Sequence, residues 1–383
     1  MAHNPSKFAM GVSAKLAARS RHVCTFFGAG ISKACGLPDV AQLQAKVLAD
    51  LSAEEKALFE TQLEGRNLEQ ALSRLRRIAA LLNSTEQLEG LTAAAAVALD
   101  KNVCQAIVKE LDISSSDLKP VRDFAAWAAR TNYHTPLEVF TVNYDLLLET
   151  ALEEFHVPYF DGFIGTLRSR FRTDLVEPLP GSDCMPSFFT RLWKLHGSLN
   201  WEWDEGHKIY RCGYAVKESA AIYPSDTKYD ESRRMPFVVL QDRFRRALHH
   251  PETLVLISGY AFGDDHLNEI IFDAATRRER SEIIVFCYDA IPVALAERAA
   301  VTPNIQVASA TEAIIGGIRA PWAAGEETPA NIWVQDRFLL GDFKHLAAYL
   351  AKSASTGDEL PIPSDAVAPP VTVPPNGLAN PNA

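Results

Sequence analysis

The 383-residue sequence has few cysteines, and those it has are scattered: Cys24, Cys35, Cys104, Cys184, Cys212 and Cys287, with no pair spaced CxxC. That pattern argues against a disulfide scaffold and against a four-thiolate zinc site. Met1 to Arg21 holds no apolar stretch of the kind that opens a signal peptide, so none is expected. The most apolar runs, such as Leu91–Leu99, are far too short to cross a bilayer, and no membrane contact is expected. An excess of basic residues is also missing: 38 Lys and Arg against 48 Asp and Glu give a net charge of −10. Direct nucleic-acid binding is therefore not expected. A soluble cytoplasmic protein is, and 47 % apolar residues are ample for one large core or two smaller ones.

Proline is absent between Pro38 and Pro120, where only Gly65 and Gly90 interrupt the chain. That absence suits helices. Leu68, Ala71, Leu72, Leu75, Ile78, Ala79 and Leu82 recur at spacings of three and four, one apolar face of an amphipathic helix. Arg74, Arg76 and Arg77 lie among them and read as a solvated face, or alternatively as an interface or phosphate contact. A helical module is expected over about 42–120. At the other end, Ser353 to Ala383 carries seven prolines and no aromatic residue, the composition of a disordered tail. Such a tail is either an inert terminus or a docking segment.

Short apolar runs flank the helical module: His22–Phe27, Leu137–Thr141, Leu192–Leu195, Leu254–Ser258 and Ile283–Tyr288. Each ends in glycine or polar residues, and most are separated by enough chain for a crossover helix. The pattern predicts an α/β fold, a parallel sheet with helices on both faces. In such sheets the ligand site lies at the carboxyl ends of the strands.

Those ends carry the polar residues. The first run leads into Gly28-Ala29-Gly30-Ile31-Ser32 and then Gly36-Leu37-Pro38-Asp39. Glycine there lets the backbone approach a diphosphate, and the helix that follows offers free N–H groups. By itself the triplet reads equally well as a tight turn. The second end reads Thr141-Val142-Asn143-Tyr144-Asp145, the third Leu195-His196-Gly197-Ser198, and the fourth Gly259-Tyr260-Ala261-Phe262-Gly263-Asp264-Asp265-His266. An amide, an imidazole and two glycine turns on one sheet edge suggest a convergent site. Asp264 or Asp265 reads equally as a helix cap. His156, His249 and His250 attract no functional reading.

In order and type, Gly28–Asp39, Thr141–Asn143 with Asp145, and His196-Gly197 resemble the sirtuin family. The resemblance implies a Rossmann-like domain over 1–352, interrupted by the helical insertion and followed by the tail at 353–383. It also implies NAD as a bound molecule. Amides of Ala29, Gly30 and Ile31, with the Ser32 hydroxyl, would hold the diphosphate. Asn143 would hold the reacting ribose and a water, and His196 would accept a proton with an unperturbed pKa suited to neutrality. Asp39 would orient the nicotinamide amide, although a helix-cap role explains it too. Asp145 would join the NAD contacts, Gly259 and Tyr260 would line the far side, and Asp289 would bond the adenosine ribose.

The departures matter as much. Val40 and Ala41 stand where sirtuins carry Phe-Arg, and the zinc cysteines of the deacetylases are missing. The chain is in this respect similar to the sirtuin-like branch of bacterial anti-phage systems. It most resembles the sirtuin subunit of two-gene systems with a HerA-type ATPase. That resemblance implies an NAD glycohydrolase that yields nicotinamide and ADP-ribose, depletes NAD in abortive infection, works as a homo-oligomer under a HerA-type partner, and needs no metal. The alternatives are an NAD-dependent protein deacylase and a non-catalytic nucleotide-binding scaffold.

Overall fold

The computed structural model describes residues 2–83, 85–178, 181, 183, 185–203, 208–216, 220–222, 235–277 and 281–353. Residues 354–383, nearly all of the proline-rich stretch, lie outside the described residues, as does Cys184; Ser353 closes the helix Phe343–Ser353.

A nine-stranded sheet runs through the molecule. Its order is Ile318–Pro321, Glu312–Ile315, Ile305–Ala308, Glu282–Phe286, Thr253–Ser258, His22–Phe27, Leu137–Thr141, Thr190–Lys194 and Tyr159–Phe160. The first three of these are joined by antiparallel pairing, and every other neighbouring pair is parallel. The mixed α/β architecture expected from the sequence is therefore present. The apolar runs fall on the five central strands: His22–Phe27 and Leu137–Thr141 coincide with them, and the other three have an end shifted by one or two residues. The strand expected to reach Tyr288 stops at Phe286, where the Gly341 backbone crosses so closely that a Cβ there would lie 2.1 Å from the Cys287 carbonyl oxygen.

Alternating residues of each central strand enter different cores, as a sheet covered on both sides requires. Val23 and Phe27 face one core with Val139, Leu254 and Leu256; Cys24 and Phe26 face the other with Phe140, Val255 and Ile257. The first core is closed by helices Pro5–Leu16, Lys119–Ala128, Leu147–Glu154 and Phe343–Ser353. The second is closed by Phe237–Leu248, Asp265–Arg277 and Val293–Val301.

The proline-free stretch forms the helices Val40–Asp50, Ala53–Leu63, Leu68–Leu81 and Ala93–Glu110, which extend the first core outward. Three of them open on a capping box: Asp39 with Gln42, Ser52 with Glu55, and Asn67 with Gln70. Each cap contributes about 1 kcal/mol. Leu68, Ala71, Leu72, Leu75 and Ile78 are buried, as their spacing predicts. Arg74 and Arg76 turn aside to Glu89 and Asp100, which ties this helix to its neighbours, while Arg77 is exposed. The helix Lys119–Ala128 belongs to the sheet: Phe124 packs edge-on against Phe27. A five-stranded antiparallel sheet, absent from the sequence reading, takes its longest strand, Gly197–Trp203, from directly after His196.

Candidate active site

Strand register brings the polar loops to one level. Phe27 is paired with Ser258 on one side and Thr141 on the other, and Thr141 with Lys194. The residues that leave the sheet next are Gly28, Gly259, Val142 and Leu195, so Asn143 and His196 stand two residues beyond partnered positions on adjacent strands. Chain order reverses between His22–Phe27 and Thr253–Ser258: the next strand in sequence lies on one side of the first, and later strands build on the other. This is the switch point at which such sheets open a crevice.

Glycine is required here by backbone contact. A Cβ on Gly28 would sit 2.5 Å from the Gly259 oxygen, and one on Gly30 would sit 2.5 Å from the Gly259 Cα. Gly259 itself has a φ of +67°. The two loops interlock through Gly30 N–H donating to Gly259 O at 2.9 Å, while Ile31 N–H donates to Gly28 O at 3.1 Å. The amides of Gly30 and Ile31, assigned to a diphosphate from the sequence, are thus bonded within the protein. The helix they open, Ala29–Ala34, is short.

Asn143 is held in one orientation. Its Nδ2 donates to Gly28 O at 3.0 Å and to Ser32 Oγ at 2.9 Å, and Ser32 Oγ donates to Asp145 Oδ2 at 2.6 Å. A backbone carbonyl can only accept, which fixes the amide nitrogen on that side. The Oδ1 atom makes no protein hydrogen bond among the described residues. Thr141 Oγ1 accepts from Asn143 N–H at 3.0 Å and anchors the loop base. The Ser32 hydroxyl, expected at a diphosphate, here donates to Asp145 and accepts from Asn143. Asp145 is also internal, its Oδ1 accepting from Leu147 N–H at 3.1 Å.

His196 lies between two carboxylates. Its Nε2 is 3.2 Å from Asp264 Oδ2, and its Nδ1 is 3.8 Å from Glu69 Oε1. The contact to Asp264 is at ion-pair distance, and that to Glu69 is too long for a hydrogen bond. Burial works against the charge, but the two carboxylates outweigh it and push the imidazole up to about 10. The expectation of an unperturbed histidine fails for this reason. Asp264 is held below the usual carboxylate range: burial opposes ionisation, and the bond to His196 overrides it. The Asp264 Oδ1 atom also caps the following helix, accepting from His266 N–H at 2.9 Å and Leu267 N–H at 3.2 Å. One Asp264 oxygen thus serves the cap and the other faces His196.

Glu69 and Lys194 escaped the sequence reading. Glu69 sits in the first turn of helix Leu68–Leu81 and accepts a hydrogen bond from the Tyr144 hydroxyl. Lys194 is buried; its Nζ donates to the Tyr144 and Asp145 carbonyls and pairs with Glu149 Oε1 at 2.8 Å. It pins the loop that carries Asn143.

Other candidates are placed less centrally. Asp39 caps helix Val40–Asp50 and pairs with Lys33 at 2.6 Å, the cap alternative. The Tyr260 hydroxyl donates to Asn268 Oδ1 at 3.0 Å, and its ring packs against Phe26 and Phe262. Asp289 is exposed and pairs with Arg337 at 2.9 Å. Among the described residues, no group of three His, Cys, Asp or Glu is arranged to hold a metal ion, and no helix is long and apolar enough to cross a membrane.

Residues 137–307 match the family model of the SIR2-like domain. The match supports a sirtuin-like family and an NAD-related activity in general. It contains Asn143, His196, Gly259 and Asp264, and it excludes both the Gly28–Asp39 loop and Glu69. No curated protein matches the chain.

Proposed function

We propose that the protein is an NAD glycohydrolase that cleaves NAD to nicotinamide and ADP-ribose. The observation that carries the reading is Asn143: both of its amide protons are spent inside the protein, which leaves Oδ1 at the switch point to accept from a ribose hydroxyl or a water. His196, cationic between its carboxylates, would act there as a hydrogen-bond donor that orients the sugar. The nicotinamide–ribose bond is already activated by its pyridinium leaving group. Holding the ribose and admitting a water to C1′ is then the main work left to the protein.

The residues present fit a dinucleotide in part. The level strand ends set the polar loops side by side at the switch point, and the Ala29 amide opens a helix. The Gly30 and Ile31 amides would have to exchange their present partners to reach a diphosphate.

Incubation of the purified chain with NAD and no peptide tests the reading. Release of nicotinamide, lost in Asn143→Ala, is the expected result. Release only when an acyl-lysine peptide is added would favour the deacylase. Binding without turnover would favour the scaffold.

Resemblance to the defence-associated sirtuin-like branch extends the proposal to NAD depletion during phage infection, by a homo-oligomer controlled by a HerA-type ring ATPase. Co-purification with such an ATPase and loss of cellular NAD on infection are the corresponding measurements.

A further inference from the structure

Cleavage of NAD by water must dispose of a proton. The water oxygen bonds to ribose C1′ as the bond to the pyridinium nitrogen breaks. The electron pair stays on nitrogen and gives neutral nicotinamide, and one water proton has to leave. His196 is poorly placed to take it, because each ring nitrogen already faces a carboxylate.

Four carboxylates approach the site, and three are closed. Asp145 uses one oxygen for Ser32 and the other for the Leu147 amide. Asp264 uses one for His196 and the other for two backbone amides. Glu149 is buried on Lys194 and its second oxygen is shut away from solvent. Glu69 differs: Oε1 meets His196 and the Tyr144 hydroxyl, while Oε2 has no hydrogen-bond or ion-pair partner among the described residues. Its side chain is also more open than that of Asp264, at 24 % against 13 % exposure. Tyr144 directly follows Asn143, so Glu69 is tied to the loop whose amide oxygen would hold the water.

We propose that Glu69, supplied by the helical insertion, is the catalytic proton acceptor of this site, taking the water proton on Oε2 and later releasing it to solvent. The proposal rests on the NAD-cleaving reading above. The groups that face Glu69 are His196 from the Lys194–Gly197 turn and Tyr144 from the neighbouring loop, with Asp264 and Tyr260 from the fourth strand end close by.

The test compares wild type, Glu69→Gln and Glu69→Asp as full chains, with nicotinamide release measured from pH 5 to 9 and NAD affinity measured by calorimetry. Glu69→Gln should lower kcat by about 100-fold or more and leave NAD affinity within about threefold of wild type. Glu69→Asp should retain part of the rate, which covers the case of a misfolded glutamine variant. An active wild type matched by Glu69→Gln overturns the proposal alone. So does a faster Glu69→Gln, the mark of a carboxylate that merely blocks the site, and so does loss of NAD binding in that variant. A wild-type chain that neither binds nor cleaves NAD overturns the underlying reading and this one with it.

Discussion

The Ser32 hydroxyl donates to Asp145 at 2.6 Å, and this single bond sets the direction of everything attached to it. With its proton given to Asp145, the serine oxygen must accept, and Asn143 supplies the donor. Ser32→Ala leaves Asn143 with one tether, Gly28 O, and leaves Asp145 with an unpaired oxygen. A buried hydrogen bond of this kind contributes about 1 kcal/mol, more where a charge is involved. Nicotinamide release should fall by about tenfold, carried by kcat more than by KM. Steady-state kinetics read the split.

The glycine interlock yields a stability prediction. Gly30→Ala places a methyl group 2.5 Å from the Gly259 Cα, a backbone atom that cannot rotate away. Overpacking of this sort costs about 1–3 kcal/mol. The thermal midpoint should drop by several degrees, whereas Gly11→Ala, with nothing within 4 Å of the new atom, should not lower it. Differential scanning calorimetry on the two variants makes the comparison.

Below the sheet, Glu138 is fully buried and gathers His22 at 3.0 Å, the Trp193 indole at 2.8 Å and the Arg243 guanidinium. Burial resists its ionisation, but Arg243 and His22 override that and hold the carboxyl well below the usual range. A depressed folded pKa stabilises above the unfolded value of 4.5 and loses that stability as the pH falls toward the folded one. Glu138→Gln should therefore destabilise by about 3–5 kcal/mol near neutrality by stranding Arg243. The gap from wild type should shrink below pH 4.5. Urea midpoints taken from pH 7 to pH 3 follow it.

His196 has the opposite sign. Its raised folded value of about 10, against 6.5 for the unfolded chain, gives stability that is fully present below pH 6.5 and lost as the pH rises through about 10. The stability advantage of wild type over His196→Gln should shrink across that window. In Asp264→Asn the imidazole loses its 3.2 Å partner and should titrate at lower pH, visible in histidine-labelled NMR spectra.

The strand ends were legible because parallel strands are short apolar runs that stop at glycine or polar residues, and His22–Phe27 and Leu137–Thr141 show this cleanly. Register then did the rest, since level strand ends bring Asn143 and His196 to neighbouring positions. Asp264 was half legible: its cap signal is local and its His196 contact is not. Glu69 left no signal, because a glutamate in a first helical turn is ordinary and only the docking of the insertion carries it to His196. The ionisation of His196 was hidden for the same reason. The partners of Ser32 left no local signal, because they come from the second strand end.

The clamp on His196 joins two segments far apart in the chain. One jaw, Asp264, lies inside the stretch that matches the SIR2-like model, and the other, Glu69, lies outside it. Trimming the helix Leu68–Leu81 would thus alter the charge around His196, even though every residue of the matched stretch stayed in place.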